Sequence, residues 1–223
     1  MIPAEAYRLY LVTDNPSVYA KTERETGKDW LTLVSEAIDG GVTVVQYRDE
    51  ESDDAELLAR ARALRALLDR RGIPLVLNDR VDLAAGLRAD GVHVGQSDLP
   101  PREVRRIVGP DVAIGWSITC AADVDPEQLA FADAVGVGPV FDARGTKPDA
   151  APPLGVSGLA ELIALMDGIR KIPAVAIGGM NPGNAGDMVR AGAAGVAVVS
   201  AFSRTGRPAE AAREFIRAMR TVP

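Results

Sequence analysis

The sequence contains one cysteine, Cys120, and one histidine, His93, in 223 residues. A lone thiol excludes an internal disulfide framework and fits a reducing compartment. With neither a second cysteine nor a nearby histidine, Cys120 forms no metal or nucleophile signature and reads as structural. Basic runs are missing too: 25 Lys and Arg against 31 Asp and Glu leave a formal net charge of −6. That balance argues against wrapping nucleic acid or lying on an anionic membrane. No stretch approaches the roughly 20 apolar residues of a membrane span, and no basic region precedes the apolar N-terminal stretch. The expectation is a soluble, cytoplasmic protein. Aromatics make up only 4%, and Trp30 and Trp116 read as packing residues, yet 47% of the chain is hydrophobic. That is enough for one sizeable core.

What is present is alternation. Short apolar runs at Arg8–Thr13, Val42–Tyr47, Pro74–Leu77, Gly91–Val94, Ala113–Ser117, Ala134–Gly138, Ala174–Ile177 and Gly195–Ser200 read as strands. Helical spacing fills Asp29–Asp39, Asp53–Arg71, Pro101–Val108, Gly158–Met166, Asn184–Ala191 and Ala209–Arg220, with shorter segments at Val81–Leu87 and Asp125–Leu129. Strands apolar on both faces, alternating with helices, predict an α/β fold whose parallel sheet closes into a (β/α)8 TIM barrel. An open doubly wound sheet is the alternative, but no G-x-G-x-x-G follows the first strand. No linker interrupts the pattern, so residues 1–223 read as a single domain. Gly40-Gly41, Gly91, Gly192 and Gly195 precede strands, where helix C-caps belong. Residues 14–28 read as a polar connection, a candidate mobile loop over one end of the barrel.

Barrel active sites lie at the C-terminal ends of the strands. Polar or glycine residues gather there: Gln46, Arg48, Asp49 and Glu50; Asn78, Asp79 and Arg80; Gln96 and Asp98; Ser117 and Thr119; the loop DARGTKP at 142–148; Gly178-Gly179; and Ser200. Asp79 and Asp98, one βα unit apart, suit Mg2+, which takes one or two carboxylates plus waters and substrate phosphates; a helix N-cap and a turn residue explain them equally well. Gly178-Gly179 before Met180-Asn181-Pro182 suits a phosphate-holding turn, or a plain connection. Arg48, Arg144 and Lys147 offer cations for phosphate, or are solvated surface charges. His93 points inward below the rim by strand alternation and reads as a satisfied core histidine rather than a ligand contact.

LYLVTD (Leu9–Asp14), GGVTVVQYRD (Gly40–Asp49), LNDRVDLA (Leu77–Ala84), ADGVHVGQSDLP (Ala89–Pro100), GVGPVF, TKPDAAPPLG and AIGGMN together resemble the thiamine phosphate synthase family over nearly the whole chain. The resemblance implies a barrel enzyme that joins 4-amino-2-methyl-5-(diphosphooxymethyl)pyrimidine to 4-methyl-5-(2-phosphoethyl)thiazole, releasing pyrophosphate. It implies that the diphosphate leaves first and the thiazole nitrogen captures the resulting carbocation, with no protein nucleophile. Carried over by motif, Asp79 and Asp98 bind Mg2+. Gln46, Arg48, Asn78, Ser117 and Lys147 hold the pyrimidine diphosphate, with Arg48, Lys147 and Ser117 as the catalytic set. Arg144, Gly145, Thr146, Gly179, Val199 and Ser200 hold the thiazole phosphate. The partners implied are these two small molecules, with a homo-oligomer compatible.

Three positions depart from the family pattern. Glu50 stands at a substrate-binding position where the family has lysine, Arg144 replaces a threonine in a loop one residue longer, and Thr119 replaces the histidine of S-x-H. On this reading Arg144 returns the positive charge lost at position 50. Two rivals share the barrel: a thiazole tautomerase-like isomerase, which would use the missing histidine as base, and a non-catalytic phosphate-ligand binding protein.

Overall fold

A computed structural model describes residues 1–143, 145 and 150–220. Arg144, Thr146 and Lys147, all expected to contact phosphate, lie outside the described residues. Eight parallel strands close into a barrel in sequence order: β1 (Leu9–Val12), β2 (Val44–Tyr47), β3 (Leu75–Asn78), β4 (Gly91–Val94), β5 (Ala113–Ile118), β6 (Ala134–Val137), β7 (Ala174–Ile177) and β8 (Gly195–Val198), with β8 pairing back onto β1. The open doubly wound alternative is thereby excluded.

Around the barrel run α1 (Pro16–Thr26), α2 (Trp30–Gly40), α3 (Asp54–Arg71), α4 (Pro101–Val108), α5 (Pro126–Leu129), α6 (Gly155–Asp167), α7 (Pro182–Arg190), α8 (Ser200–Ser203) and α9 (Pro208–Arg220). Side-chain caps start α2 and α3, among others: Asp29 accepts from Thr32 N at 2.7 Å, and Asp53 from Glu56 N at 2.9 Å. Such caps satisfy amides that the first turn leaves without a partner.

Residues 14–28 are not a loop. Pro16 at the first position suits a helix start, buried Tyr19 and Thr22 anchor one face of α1, and Gly27 ends it with φ 71°. The start of α1 is held by Glu51, whose carboxylate accepts from Ser17 N at 2.9 Å and Ser17 Oγ at 2.6 Å. The Val81–Leu87 segment forms only a 3-10 turn over Val81–Leu83, whereas Asp125–Leu129 does contain a helical turn, α5. Strand eight ends at Val198, and Ser200 opens α8 instead.

Alternation along the strands sorts two layers. Leu9, Leu11, Val45, Leu75, Leu77, Val92, Ile114, Val135 and Val196 face the helices in the larger core. Tyr10, Val12, Val44, Val76, Ala134, Val175 and Ala197 face the barrel axis, with Tyr7 from the preceding 3-10 turn Ala4–Arg8 below them. Several inward positions on β4 to β6 and β8 are small: Gly91, Ala113, Gly115, Ala134, Gly136 and Ala197 all line a cavity of about 550 Å³. A barrel usually fills its axis with branched side chains; here small residues leave the upper part open to ligand.

At the opposite end, two Asp residues tie strands to helices. Asp90 Oδ2 takes Leu75 N at 2.8 Å and Arg65 Nη1 at 2.7 Å; Asp133 Oδ2 takes Ile114 N at 2.9 Å and Arg105 Nη2 at 2.5 Å. Asp90 satisfies the first amide of β3 and Asp133 the second amide of β5, and each also holds a partly buried guanidinium. Asp133→Ala removes both bonds at once. We expect it to cost about 3 kcal/mol, and Asp133→Asn roughly 1 kcal/mol because an amide oxygen still serves Ile114. Urea unfolding of the two variants measures the difference.

Candidate active site

The cavity opens at the C-terminal rim, and the polar residues expected there arrive by strand register. Gln46 on β2 and Asn78 on β3 are inward positions, in line with Val44 and Val76. Gln46 is buried and donates Nε2 to the Tyr10 hydroxyl at 3.0 Å, so the cavity floor orients its amide. Arg48 follows one turn of the pleat later. Its backbone is pinned to the end of β1, with Thr13 Oγ1 accepting from Arg48 N and donating to Arg48 O, both at 2.8 Å. Glu50 also lines the cavity, and its carboxylate lies 2.5 Å from Arg48 Nη2.

Asp79 and Asp98 line the same cavity from neighbouring loops. Neither caps a helix: Arg80 precedes the 3-10 turn and Pro100 precedes α4. Asp79 has φ 59°, a left-handed conformation that few residues except Gly, Asn and Asp accept readily. Its amide donates to His93 O at 2.9 Å, which turns the chain off β3 against β4, and Asn78 Nδ2 donates to Asp79 Oδ2 at 2.7 Å. Asp98 Oδ2 accepts from Gly95 N at 2.7 Å, so the turn-residue alternative describes its local bond. Among the described residues no group of three or more His, Cys, Asp or Glu could hold a metal. The two carboxylates that line this cavity are oxygen ligands of the kind a hard cation takes.

His93 is not packed away in the barrel core. Its ring lines the cavity, and Nε2 and Ser117 Oγ share a hydrogen bond of 2.9 Å. Burial lowers its pKa to about 4, the nearby Asp98 charge offsetting this only in part, so the imidazole is uncharged at neutral pH. Gly115 makes room for it: a Cβ there would collide with Nδ1 and meet Cγ at 3.2 Å. Ser117 is held further by Gln96, whose Nε2 donates to Ser117 O at 2.6 Å. Thr119 lies on the rim as expected. Asp123, which the sequence pattern did not single out, lines the cavity beside it and accepts from Thr119 N at 2.7 Å and Oγ1 at 2.6 Å. Burial raises the Asp123 pKa, but these bonds outweigh it and hold the carboxyl below its usual range. Cys120 is exposed at the N-cap of the 3-10 turn Ala121–Asp123, where its side chain takes part in a capping box with Asp123.

Across the cavity, Gly178, Gly179, Val199 and Ser200 line the opposite wall. Gly178 and Gly179 have φ of 96° and 67°, and a Cβ on either would meet Pro139 Cβ or Phe141 Cβ at 2.6 Å. Only glycine lets the loop after β6 lie this close to the turn before α7. Asn181 caps α7 in a reciprocal box with Asn184. Gly145 is an exposed turn residue whose carbonyl accepts from Arg204 Nη2 at 2.8 Å. Arg204 was not among the expected residues; it follows α8 with no motif around it, and only the fold brings it to this loop.

Comparison with known proteins agrees with this arrangement. The family model described as thiamine monophosphate synthase matches residues 9–202. A thiamine-phosphate synthase from Albidiferax ferrireducens is 43% identical over 208 residues, covering 93% of this chain and 90% of the relative. One from Chloroflexus aurantiacus is 43% identical, covering 94% and 91%. Among solved structures, a thiamine phosphate pyrophosphorylase from Pyrococcus furiosus superposes with a TM-score of 0.78 at 29% identity, covering 98% of each chain. A barrel with this rim and these relatives belongs to the thiamine monophosphate synthase family.

Proposed function

We propose that the chain, acting as one barrel domain, condenses the pyrimidine diphosphate with the thiazole phosphate to give thiamine phosphate and pyrophosphate, as its relatives' shared name implies. The observation that carries the reading is a single cavity walled by Gln46, Arg48, Asn78, Asp79, Asp98 and Ser117 on one side and Gly179, Val199 and Ser200 on the other. Two anionic substrates need two anion-holding walls facing one space, and the polar groups on both sides of this cavity support that reading.

The chemistry breaks the C–O bond between the pyrimidine methylene and its diphosphate, then forms a bond from the thiazole nitrogen to that methylene. No proton is transferred at the reacting carbon, so the step asks for no protein base, and the His93–Ser117 hydrogen bond serves instead to orient the Ser117 hydroxyl. The difficult part is the charge on the departing diphosphate. Preorganised cations and hydrogen-bond donors supply most of the stabilisation such a step needs. Arg48, Ser117 and Asn78 serve on the β2, β5 and β3 side, and Lys147 belongs to the same proposed set. Gly179, Ser200 and the Val199 backbone, with Arg144, Gly145 and Thr146, hold the thiazole phosphate so that its ring nitrogen faces the methylene. Mg2+, held by Asp79 and Asp98 with the remaining positions left to water and diphosphate, would neutralise leaving-group charge. The small residues on β4 to β6 leave room for the pyrimidine ring above Tyr10.

Among the described residues no helix is long and apolar enough to cross a membrane. A cytoplasmic location and assembly into a homo-oligomer remain part of the proposal, supported by the scarcity of cysteine and compatible with the barrel.

Mixing both substrates with Mg2+ should yield thiamine phosphate and pyrophosphate in equal amounts, and nothing when the metal is chelated. Isomerisation of a thiazole carboxylate phosphate without pyrophosphate would establish the tautomerase reading instead. Tight binding of both substrates without turnover would establish the binding-protein reading. Thr119 stands where a tautomerase base would be needed, and its hydroxyl is committed to Asp123.

A further inference from the structure

Arg48 is the cation that β2 presents to the cavity, and it already has an anionic partner from its own loop. Nη2 of Arg48 lies 2.5 Å from Glu50 Oε2. The backbone on both sides of the pair is fixed. Thr13 Oγ1 bridges Arg48 N and O, and Asn15 Oδ1 accepts from Glu50 N at 3.0 Å. The next residue, Glu51, is tied to Ser17 at the start of α1. The two side chains therefore leave a clamped strand end two residues apart and meet. The Arg48 side chain is 12% exposed and that of Glu50 is 52% exposed, so the carboxylate covers the solvent side of a nearly buried guanidinium.

A carboxylate and a phosphate oxygen recognise the same guanidinium edge by the same charge-assisted geometry. A diphosphate that takes the Nη2 edge of Arg48 must therefore displace Glu50, and it does so against like-charge repulsion. We propose that Glu50 is an internal competitor for the diphosphate. Its carboxylate occupies Arg48 in the resting enzyme, weakens the ground-state binding of the pyrimidine diphosphate and of product pyrophosphate, and returns to Arg48 as pyrophosphate leaves. This rests on the reading that Arg48 holds the diphosphate. Glu50 is thus a positioning residue acting through Arg48, not a catalytic one.

The test titrates inorganic pyrophosphate with Mg2+ into the full chain by calorimetry at low salt, comparing wild type, Glu50→Gln, Arg48→Gln and the double variant, with circular dichroism to verify folding. Expected is roughly fivefold tighter pyrophosphate for Glu50→Gln, a size typical of a half-exposed ion pair. The KM for the pyrimidine diphosphate should fall in parallel. Arg48→Gln should bind pyrophosphate at least tenfold more weakly, and in that background Glu50→Gln should have no further effect. Unchanged or weaker binding in Glu50→Gln, with Arg48→Gln still impaired, overturns the competitor while leaving the diphosphate site standing. Tightening that persists without Arg48 also overturns it, since the effect would be general electrostatics. If Arg48→Gln binds pyrophosphate as wild type does, the site assignment falls, and the proposal with it.

Discussion

Asp79→Asn is expected to lower Mg2+-dependent pyrophosphate release by about a thousandfold, the upper end of what removing one charge-stabilising group costs an active site. The substitution is close to isosteric, and asparagine tolerates the left-handed conformation that Asp79 adopts at φ 59°. The backbone bond to His93 O needs only the amide of residue 79, so the turn off β3 should persist. What changes is one full negative charge on the wall of the cavity that Gly178 and Gly179 also line. Thermal unfolding should hardly move, because the backbone bond to His93 O needs no carboxylate and an asparagine oxygen can still accept from Asn78 Nδ2. Calorimetric titration with Mn2+ as a probe, in the presence of pyrophosphate, should show at least tenfold weaker metal binding, which separates a ligand's role from a fold's. Full turnover in Asp79→Asn, with unchanged metal affinity, would end the assignment of this carboxylate to the cation.

Much of this site could be read before any coordinates, for a physical reason. In a parallel barrel the end of each apolar run is the rim, so a one-dimensional boundary becomes a ring of neighbours. Gln46, Asn78, Asp79, Asp98, Ser117 and Ser200 all fell at such boundaries, and all line one cavity. Inward positions were harder to interpret. His93 was legible as inward-facing, but whether a barrel interior is filled or open depends on all the strands together. Gly115 and Gly136 leave the space that makes it a cavity residue. Asp123, which lines the cavity, and Arg204, which reaches only the Gly145 carbonyl, were not legible, because each is placed by a turn whose path no periodicity encodes.

The misreading of residues 14–28 has a different cause. DNPSVYAKTERETGK is polar because α1 buries only Tyr19 and Thr22 on one face. Too few apolar residues remain to display a helical period, and most helical stability comes from packing that the sequence does not announce. Charge tells a similar story. Position 50 could be recognised as departing from the family's lysine, but its pairing with Arg48 depends on the Thr13 and Asn15 bonds that clamp the strand end.

The glycines before the strands show how one residue type hides two jobs, and they carry the largest stability prediction. Gly41 and Gly192 do have positive φ, as helix ends require, whereas Gly91 and Gly195 are the first residues of β4 and β8. A Cβ on Gly195 would collide with the carbonyl oxygens of Tyr7 and Arg8 and come within 2.5 Å of Arg8 Cα. Those are backbone atoms of the chain entering β1, so no rotamer change relieves the contact. The methyl has to push apart β1 and β8, where Leu9 pairs with Val196, and this pairing closes the barrel. Overpacking a core typically costs 1–3 kcal/mol, and a contact against backbone belongs at or above the top of that range. Gly195→Ala should therefore lose about 3 kcal/mol or more in urea unfolding, and its melting temperature should fall by roughly 6–12 °C for a domain this size. Gly86→Ala is the matched control, since a Cβ there would meet nothing nearer than Leu83 O at 3.8 Å. If the two variants unfold alike, close approach is not what requires glycine at 195. If only Gly195→Ala is destabilised, the barrel's closing seam rather than a helix cap explains that glycine. Because Tyr7 sits in that seam and under the cavity, substrate affinity in the surviving folded fraction should weaken as well.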